Sequence, residues 1–304
     1  MKKLFSSIVN SPPFRIFDTS LRARLVVFFA FITVITVSTV GFISYGQVRR
    51  SIERSTTEST QVIAEQLKTN IELVFRDAER FLKIGTHSTT MAFLSPLEQS
   101  EESTYRLSLD IIDLFKLFRE IYEFDSRIKG IHILGFNGNH IGEQEGRYEL
   151  DGDLSDLQIV RTAMNRPGEV YLIPNKTIDY AGIESYKDVI SITRIIVRPV
   201  TRELMGVIII DVDRQAITAL CENIRIGETG HFSIISDRGD VIYPPDLDIS
   251  GIPISAQNTR KIIEGSSGSL VDRSGGVDEL FAYATLEPWS WKIVGRVKAK
   301  ALIK

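Results

Sequence analysis

IKGIHILGFNGNHIG (128–142) and GHFSIISDRGDVIYPP (230–245) are each a pair of short apolar strands around a turn, and the second repeats the first. Asn137-Gly138 is the dipeptide of a two-residue hairpin turn. Aligning Ile131–Ile141 with Phe232–Ile242 matches Gly138 with Gly239, Asn139 with Asp240 and Ile141 with Ile242. Each hairpin is followed by a helical or loop stretch and then by two more apolar strands. These are VISITRIIV (189–197) and LMGVIIIDV (204–212) in the first unit, and ELFAYATL (279–286) and WSWKIVGRV (289–297) in the second. Two units offset by about 100 residues form the pattern of a tandem duplication. An antiparallel sheet with helices segregated to one face fits each unit, so the class is α+β.

Upstream, LVVFFAFITVITVSTVGFISYG (25–46) runs for 22 residues without a charge. As a helix it is about 33 Å long, enough for a hydrocarbon core of about 30 Å. Arg22 and Arg24 close one end, and Arg49 and Arg50 the other. A buried central helix would not carry such flanks. A cleavable signal peptide would have an apolar run of only about 7–15 residues. The stretch therefore reads as a retained transmembrane helix. Before it stand five basic residues and one acid, a charge of +4, while the remainder carries −7. The positive-inside rule then places the N-terminus in the cytoplasm and residues 47–304 outside the plasma membrane.

Between residues 48 and 84 there is no proline or glycine, and Ile63, Leu67, Ile71, Val74, Ala78 and Phe81 recur at spacings of three and four. That is one stripe of a long stalk helix. It packs on its own domain, meets a partner chain, or does each at a different height. Thr86–Ser103 interrupts it, and a second amphipathic helix is predicted over 104–123.

The remaining composition excludes several classes. A single cysteine, Cys221, permits no internal disulfide, and four histidines leave little material for a metal centre. A net charge of −3 excludes a strongly basic nucleic-acid binder. GxxxxGK[ST], HExxH, GxSxG and GxGxxG are all absent, so no catalytic residue, metal or cofactor is expected in this chain.

The order of membrane helix, long helix and two strand–turn–strand units resembles the double Cache (dCache) family of extracytoplasmic sensors, built from tandem PAS-like antiparallel-sheet units. IRIGETGHFSIISDRGDVIYPP and FAYATLEPWSWKIVGRV are similar to the opening and closing of the membrane-proximal unit, and IIIDVDRQAITAL to the end of the distal one. The basic leader, single span and polar helix resemble YesM-type sensor histidine kinases more narrowly. The resemblance implies a leader over 1–24, a span over 25–46, a stalk and connector over 47–103, a distal ligand-binding unit over 104–220 and a proximal unit over 221–300. Residues 301–304 stand where such a receptor approaches a second membrane helix.

By the same resemblance, the distal pocket lies between its sheet and SDLQIVRTAMNRPGEVYLIP (155–174). Amino-acid-binding relatives carry a Trp–Tyr pair and an arginine there. Ile159 and Val160 replace the pair, and Arg161 lies beside rather than in the arginine column, which disfavours an amino-acid ligand. Asp211 places a carboxylate on the face of Val207 and Ile209, a costly position unless paired. The family column assigns it a ligand amine, while the plain alternative is a strand-end residue held by a turn. Arg194 could pair with Asp211, bind a ligand anion or snorkel out of the sheet. Tyr171 and Tyr180 flank a loop that could cover the pocket, and His132 is a core, rim or ligand residue. Asp213, before RQAITAL, reads as a helix N-cap. Trp289 and Trp291 read as packing.

The combined expectation is the membrane-anchored input portion of a two-component sensor histidine kinase, dimeric through its stalk. Its ligand is small, with a carbohydrate or organic acid preferred, and a cognate response regulator is expected only if a kinase domain follows. The alternatives are a chemoreceptor or cyclic-dinucleotide enzyme input domain, and a tethered binding protein without output.

Overall fold

The computed structural model describes residues 21–96, 100–142, 146–147, 153–175, 189–224, 226, 230–237, 241–244, 254–274, 276 and 278–298. The leader through residue 20, Tyr180, Gly239, Asp240 and residues 301–304 lie outside the described residues. The chain divides into two compact units, one ending at Thr56 and one beginning at Thr57.

Helix α1 (Leu21–Phe81) is 61 residues long. Within the first unit the apolar side chains of 25–46 are exposed rather than buried in protein. The stretch is long and apolar enough to cross a membrane. Thr33, Thr36 and Thr39 donate to the carbonyls of Phe29, Ile32 and Ile35 at 2.8, 2.8 and 2.7 Å, so these hydroxyls need no water.

In the second unit α1 buries Ala64, Leu67, Ile71, Val74, Phe75 and Ala78, with Ile63 and Phe81 half-buried beside them. Spacings of three and four put these residues on one face, which is why this stretch of helix has a core side. A 3₁₀ turn (Leu82–Thr86) and α2 (Ser88–Phe93) fill the predicted interruption. Helix α3 (Glu101–Phe124) follows, its N-terminus capped by the Ser100 side chain.

The N-terminal sheet comprises β1 (Ile128–Gly135), β2 (His140–Gly142), β3 (Gly146–Arg147), β4 (Tyr171–Asn175), β5 (Val189–Val197) and β6 (Leu204–Asp213), with α4 (Gln158–Met164) between β3 and β4. Its order is β3-β2-β1-β6-β5-β4, and every pairing is antiparallel. Helix α5 (Arg214–Glu222) leads onward, and Asp213 caps it by accepting from the Gln215 N–H at 2.9 Å. The C-terminal sheet holds β7 (His231–Ile235), β8 (Val241–Tyr243), β9 (Ser267–Asp272), β10 (Glu279–Leu286) and β11 (Trp291–Lys298), with α6 (Ala256–Glu264) before β9. Its order, β8-β7-β11-β10-β9, is also antiparallel. The fold is therefore α+β, a long N-terminal apolar helix followed by tandem PAS-like units.

One expectation is corrected: helices cover both faces of each sheet. One continuous core joins α1 and α3 to Ile131, Ile133, Ile192, Ile208 and Ile210 of one sheet and to Phe232, Leu286 and Trp291 of the other. Behind the N-terminal sheet, Ile159, Val160 and Ala163 of α4 pack on Leu134, Ile195, Val207 and Ile209. Behind the C-terminal sheet, Ile262 of α6 packs on Phe281, Tyr283 and Val294. The physical reason lies in the central strands. β6 is apolar on both faces from Val207 to Ile210, and β5 and β6 are buried at odd and even positions alike, so neither face is left to water. Strands β4 and β9, edge strands with little apolar continuity, are not revealed by periodicity.

Candidate functional site

The α4-covered face of the N-terminal sheet changes character along its length. Around Leu134, Val207 and Ile209 it is apolar, and at Gly130, Ser191 and Asp211 it becomes polar. The ladder fixes this placement. Asp211 on β6 stands opposite Gly130 on β1 and Ser191 on β5, and Ile209 stands opposite His132 and Thr193. Since side chains alternate along a strand, His132, Ser191, Thr193 and Asp211 all project from this one face.

Asp211 and Ser191 have no solvent exposure, and the Ser191 hydroxyl donates to Asp211 Oδ1. From the other neighbouring strand, His132 Nε2 lies 3.4 Å from Asp211 Oδ2. Thr193 is satisfied separately, its hydroxyl donating to the Ile208 carbonyl at 3.1 Å. Gly130 leaves room for the contact between His132 and Asp211. A Cβ there would lie 2.8 Å from Asp211 Oδ2 and 2.9 Å from His132 Nε2. A carboxylate taken out of water needs such partners. The Ser191–Asp211–His132 grouping is thus a preorganised polar station at the end of an apolar wall.

The other sequence candidates fall in different places. Tyr171 on β4 is half-buried and packs against the same wall, opposite Thr193. Burial, followed by the charge of Glu169, raises its phenol above the ordinary range. Arg161 is exposed on α4, while Ile159, Val160 and Ala163 face the sheet. Arg194 projects from the opposite face, half-buried, and Nη2 donates to the Leu82 carbonyl at 3.0 Å. The expected alternative of an Arg194–Asp211 pair is corrected by strand alternation, because residues at odd and even positions cannot share a face. Arg194 instead ties β5 to the 3₁₀ turn that follows α1. Ser191, Thr193 and Gly130 are the site residues that sequence reasoning missed. The alternation of Ser191 and Thr193 within an otherwise apolar strand is the signal that could have found the first two.

The hairpin turn behind this sheet is anchored by its own side chains. Gly138 takes a positive φ of 85°, and Asn137 and Asn139 each donate a side-chain N–H to the Phe93 carbonyl, at 3.2 and 2.9 Å. This fixes β1, and with it His132, against α2.

Two PAS-like sheets in tandem behind a long helix, with a polar station at the end of an apolar wall, define a small-ligand sensor domain of the kind used in signalling proteins. The family model of the Cache domain (dCache) matches residues 44–304, and the chain belongs to this family. Among solved structures, it is similar to the sensory domain of the Campylobacter jejuni chemoreceptor Tlp3, with 13% identity and a TM-score of 0.59 over 84% of this chain and 98% of that one. The extracellular domain of mmHK1S-Z2, assigned as a histidine kinase, gives 13% and 0.58 over 82% and 99%. The ligand-binding domain of the Pseudomonas fluorescens chemoreceptor CtaA in complex with L-isoleucine gives 11% and 0.57 over 84% and 97%. No curated protein sequence matches the chain.

Proposed function

We propose that this chain is the membrane-anchored, extracytoplasmic input portion of a two-component sensor histidine kinase, with its N-terminus in the cytoplasm. It binds a small ligand over the Asp211 face and acts as a dimer through α1. The observation that carries the binding proposal is the buried Ser191–Asp211–His132 grouping, a specific polar station at the end of an apolar wall. The exposed apolar stretch 25–46, with its internally satisfied threonine hydroxyls, supports the membrane anchor. The basic leader supports the orientation. In this mechanism ligand binding shifts the N-terminal sheet against α1, and α1 carries the shift to the span. The ligand must then bind one arrangement of the paired helices better than the other.

A carbohydrate or organic acid is preferred as ligand. Ile159 and Val160 are consumed in packing and Arg161 is turned to solvent, so α4 offers no aromatic pair and no cation to clamp an amino-acid carboxylate. The second reading, an amino-acid ligand, is favoured by the isoleucine-bound Tlp3 and CtaA structures and by Asp211 as a partner for an amine. A thermal-shift panel of sugars, organic acids and amino acids on the intact chain in nanodiscs separates the two. Ligand at 100 times Kd adds about 2.7 kcal/mol. Stabilisation by a sugar or organic acid, lost in Asp211→Ala, is the expected result. Stabilisation by common amino acids, abolished by the same substitution, overturns the preference.

A further inference from the structure

The C-terminal sheet has a cavity of its own, of about 570 Å³, between α6 and the strands β7, β10 and β11. That is the size of a small-molecule site, which spans about 300–1,000 Å³. Ile235, Ile262, Phe281 and Val294 give it an apolar wall. Lys292, only 9% exposed, also lines it. Its ammonium donates to the Gly265 carbonyl and to the Thr285 hydroxyl, each at 2.6 Å.

Both of those acceptors are neutral. An ammonium carries three donors, so two hydrogen bonds leave one donor for a further acceptor. Among the described residues no carboxylate forms an ion pair with Lys292. Burial lowers its pKa, and the charge of Glu287 opposes that shift. A buried charge of this kind is stabilised by an anion brought to it. The remaining charged groups of the lining limit that anion. Asp237, Glu264 and Glu287 repel any anion, a phosphate or a dicarboxylate more than a single carboxylate, while the apolar wall has room for hydrocarbon.

We propose that this cavity is a second ligand site, which takes a small monocarboxylate with its carboxylate on Lys292 Nζ and its hydrocarbon against Ile262 and Phe281. The site lies in a different sheet from Asp211 and does not depend on the ligand bound there. One chain of this family thus reads two chemical inputs, one at each sheet.

Isothermal titration of the intact chain in nanodiscs tests the assignment, with acetate, butyrate and hexanoate as probes and with hexan-1-ol and succinate as controls. Affinity should rise about fourfold with each methylene. Hexanol and succinate should bind at least about tenfold more weakly than hexanoate, and Lys292→Met should lose at least about tenfold. Isoleucine methyl NMR with hexanoate should move Ile235 and Ile262 and leave Ile209 in place, a readout that survives even if Lys292→Met fails to fold. Ile262→Trp fills the cavity with Lys292 intact and should also abolish binding. No heat with hexanoate up to about 10 mM, unchanged affinity in folded Lys292→Met, or shifts confined to Ile209 would each overturn the proposal.

Discussion

The Asp211 carboxylate accepts a hydrogen bond from the Ser191 hydroxyl directly across the β5–β6 ladder, and neither side chain reaches solvent. The pair ties the strongest sequence candidate to a residue on the neighbouring strand, and His132 completes it from the strand on the other side. Removing one arm leaves a buried carboxylate short of a donor. Ser191→Ala should therefore destabilise the protein by about 1–3 kcal/mol in urea denaturation. Gly130→Ala should cost more, because its Cβ meets both Asp211 and His132 below 3.0 Å. Parent-like stability in Ser191→Ala would remove the hydroxyl from the account.

Helix α1 packs on the C-terminal sheet through Phe75. Phe75 meets Trp289 and Trp291 edge to face, with centroids 5.3 and 6.0 Å apart, so both tryptophans are packing residues as their spacing predicts. Phe75→Ala should cost about 3–5 kcal/mol in the same denaturation assay.

Beside that contact, the buried Glu72 accepts from the Glu287 backbone N–H at 3.1 Å. Glu72→Gln keeps an acceptor, whereas Glu72→Ala strands the N–H and should lose about 1–3 kcal/mol on urea unfolding. Equal effects of the two substitutions would contradict this reading.

Asp272 makes the C-terminal sheet sensitive to acid. The Ser274 hydroxyl foremost, then the Ser255 N–H, the Asn258 amide and the Ser274 N–H, hold its carboxyl far below the ordinary range against the opposing effect of burial. Its folded pKa is lower than its unfolded one. The stability it contributes is therefore present above about pH 3.9 and is lost as pH falls toward the folded value. Asp125, lowered chiefly by the Arg127 side chain, acts with the same sign. The melting temperature should drop below about pH 4, and Asp272→Asn should be less stable at neutral pH with a shallower acid limb. An unchanged pH profile in that variant would count against it.

Cys221, the single cysteine, is buried, and burial, aided by the charge of Glu222, pushes its thiol up to about 12. The thiolate is the reactive form. Aromatic disulfide reagents at pH 8 should leave the native chain untouched and label one thiol after denaturation. Rapid native labelling would show that this core opens easily.

Elements with a strong period are legible in the amino-acid sequence. The 3–4 spacing of Leu67, Ile71, Val74 and Ala78 announces the core face of α1, and Asn137-Gly138 announces the β1–β2 turn. Strands β5, β6, β10 and β11 stand out as apolar runs. Asp211 is legible because a carboxylate inside VIIID is costly without partners. The Ser191–Thr193 alternation marks a polar stripe on its strand, but neither Ser191 nor Gly130 is legible as a neighbour of Asp211 until the register is known.

Local sequence alone determined the apolar helix, the doubled strand–turn–strand pattern and the α+β class, since each follows from side-chain periodicity within a few turns or one strand. Tertiary structure alone decided which residues meet. Strand register put Ser191 opposite Asp211 and sent Arg194 to the other face. Packing of α6 on the C-terminal sheet placed Lys292 at a cavity among neutral acceptors. Contacts between residues tens of positions apart depend on pairing and on the desolvation that follows it, and neither is written in the spacing of any one segment.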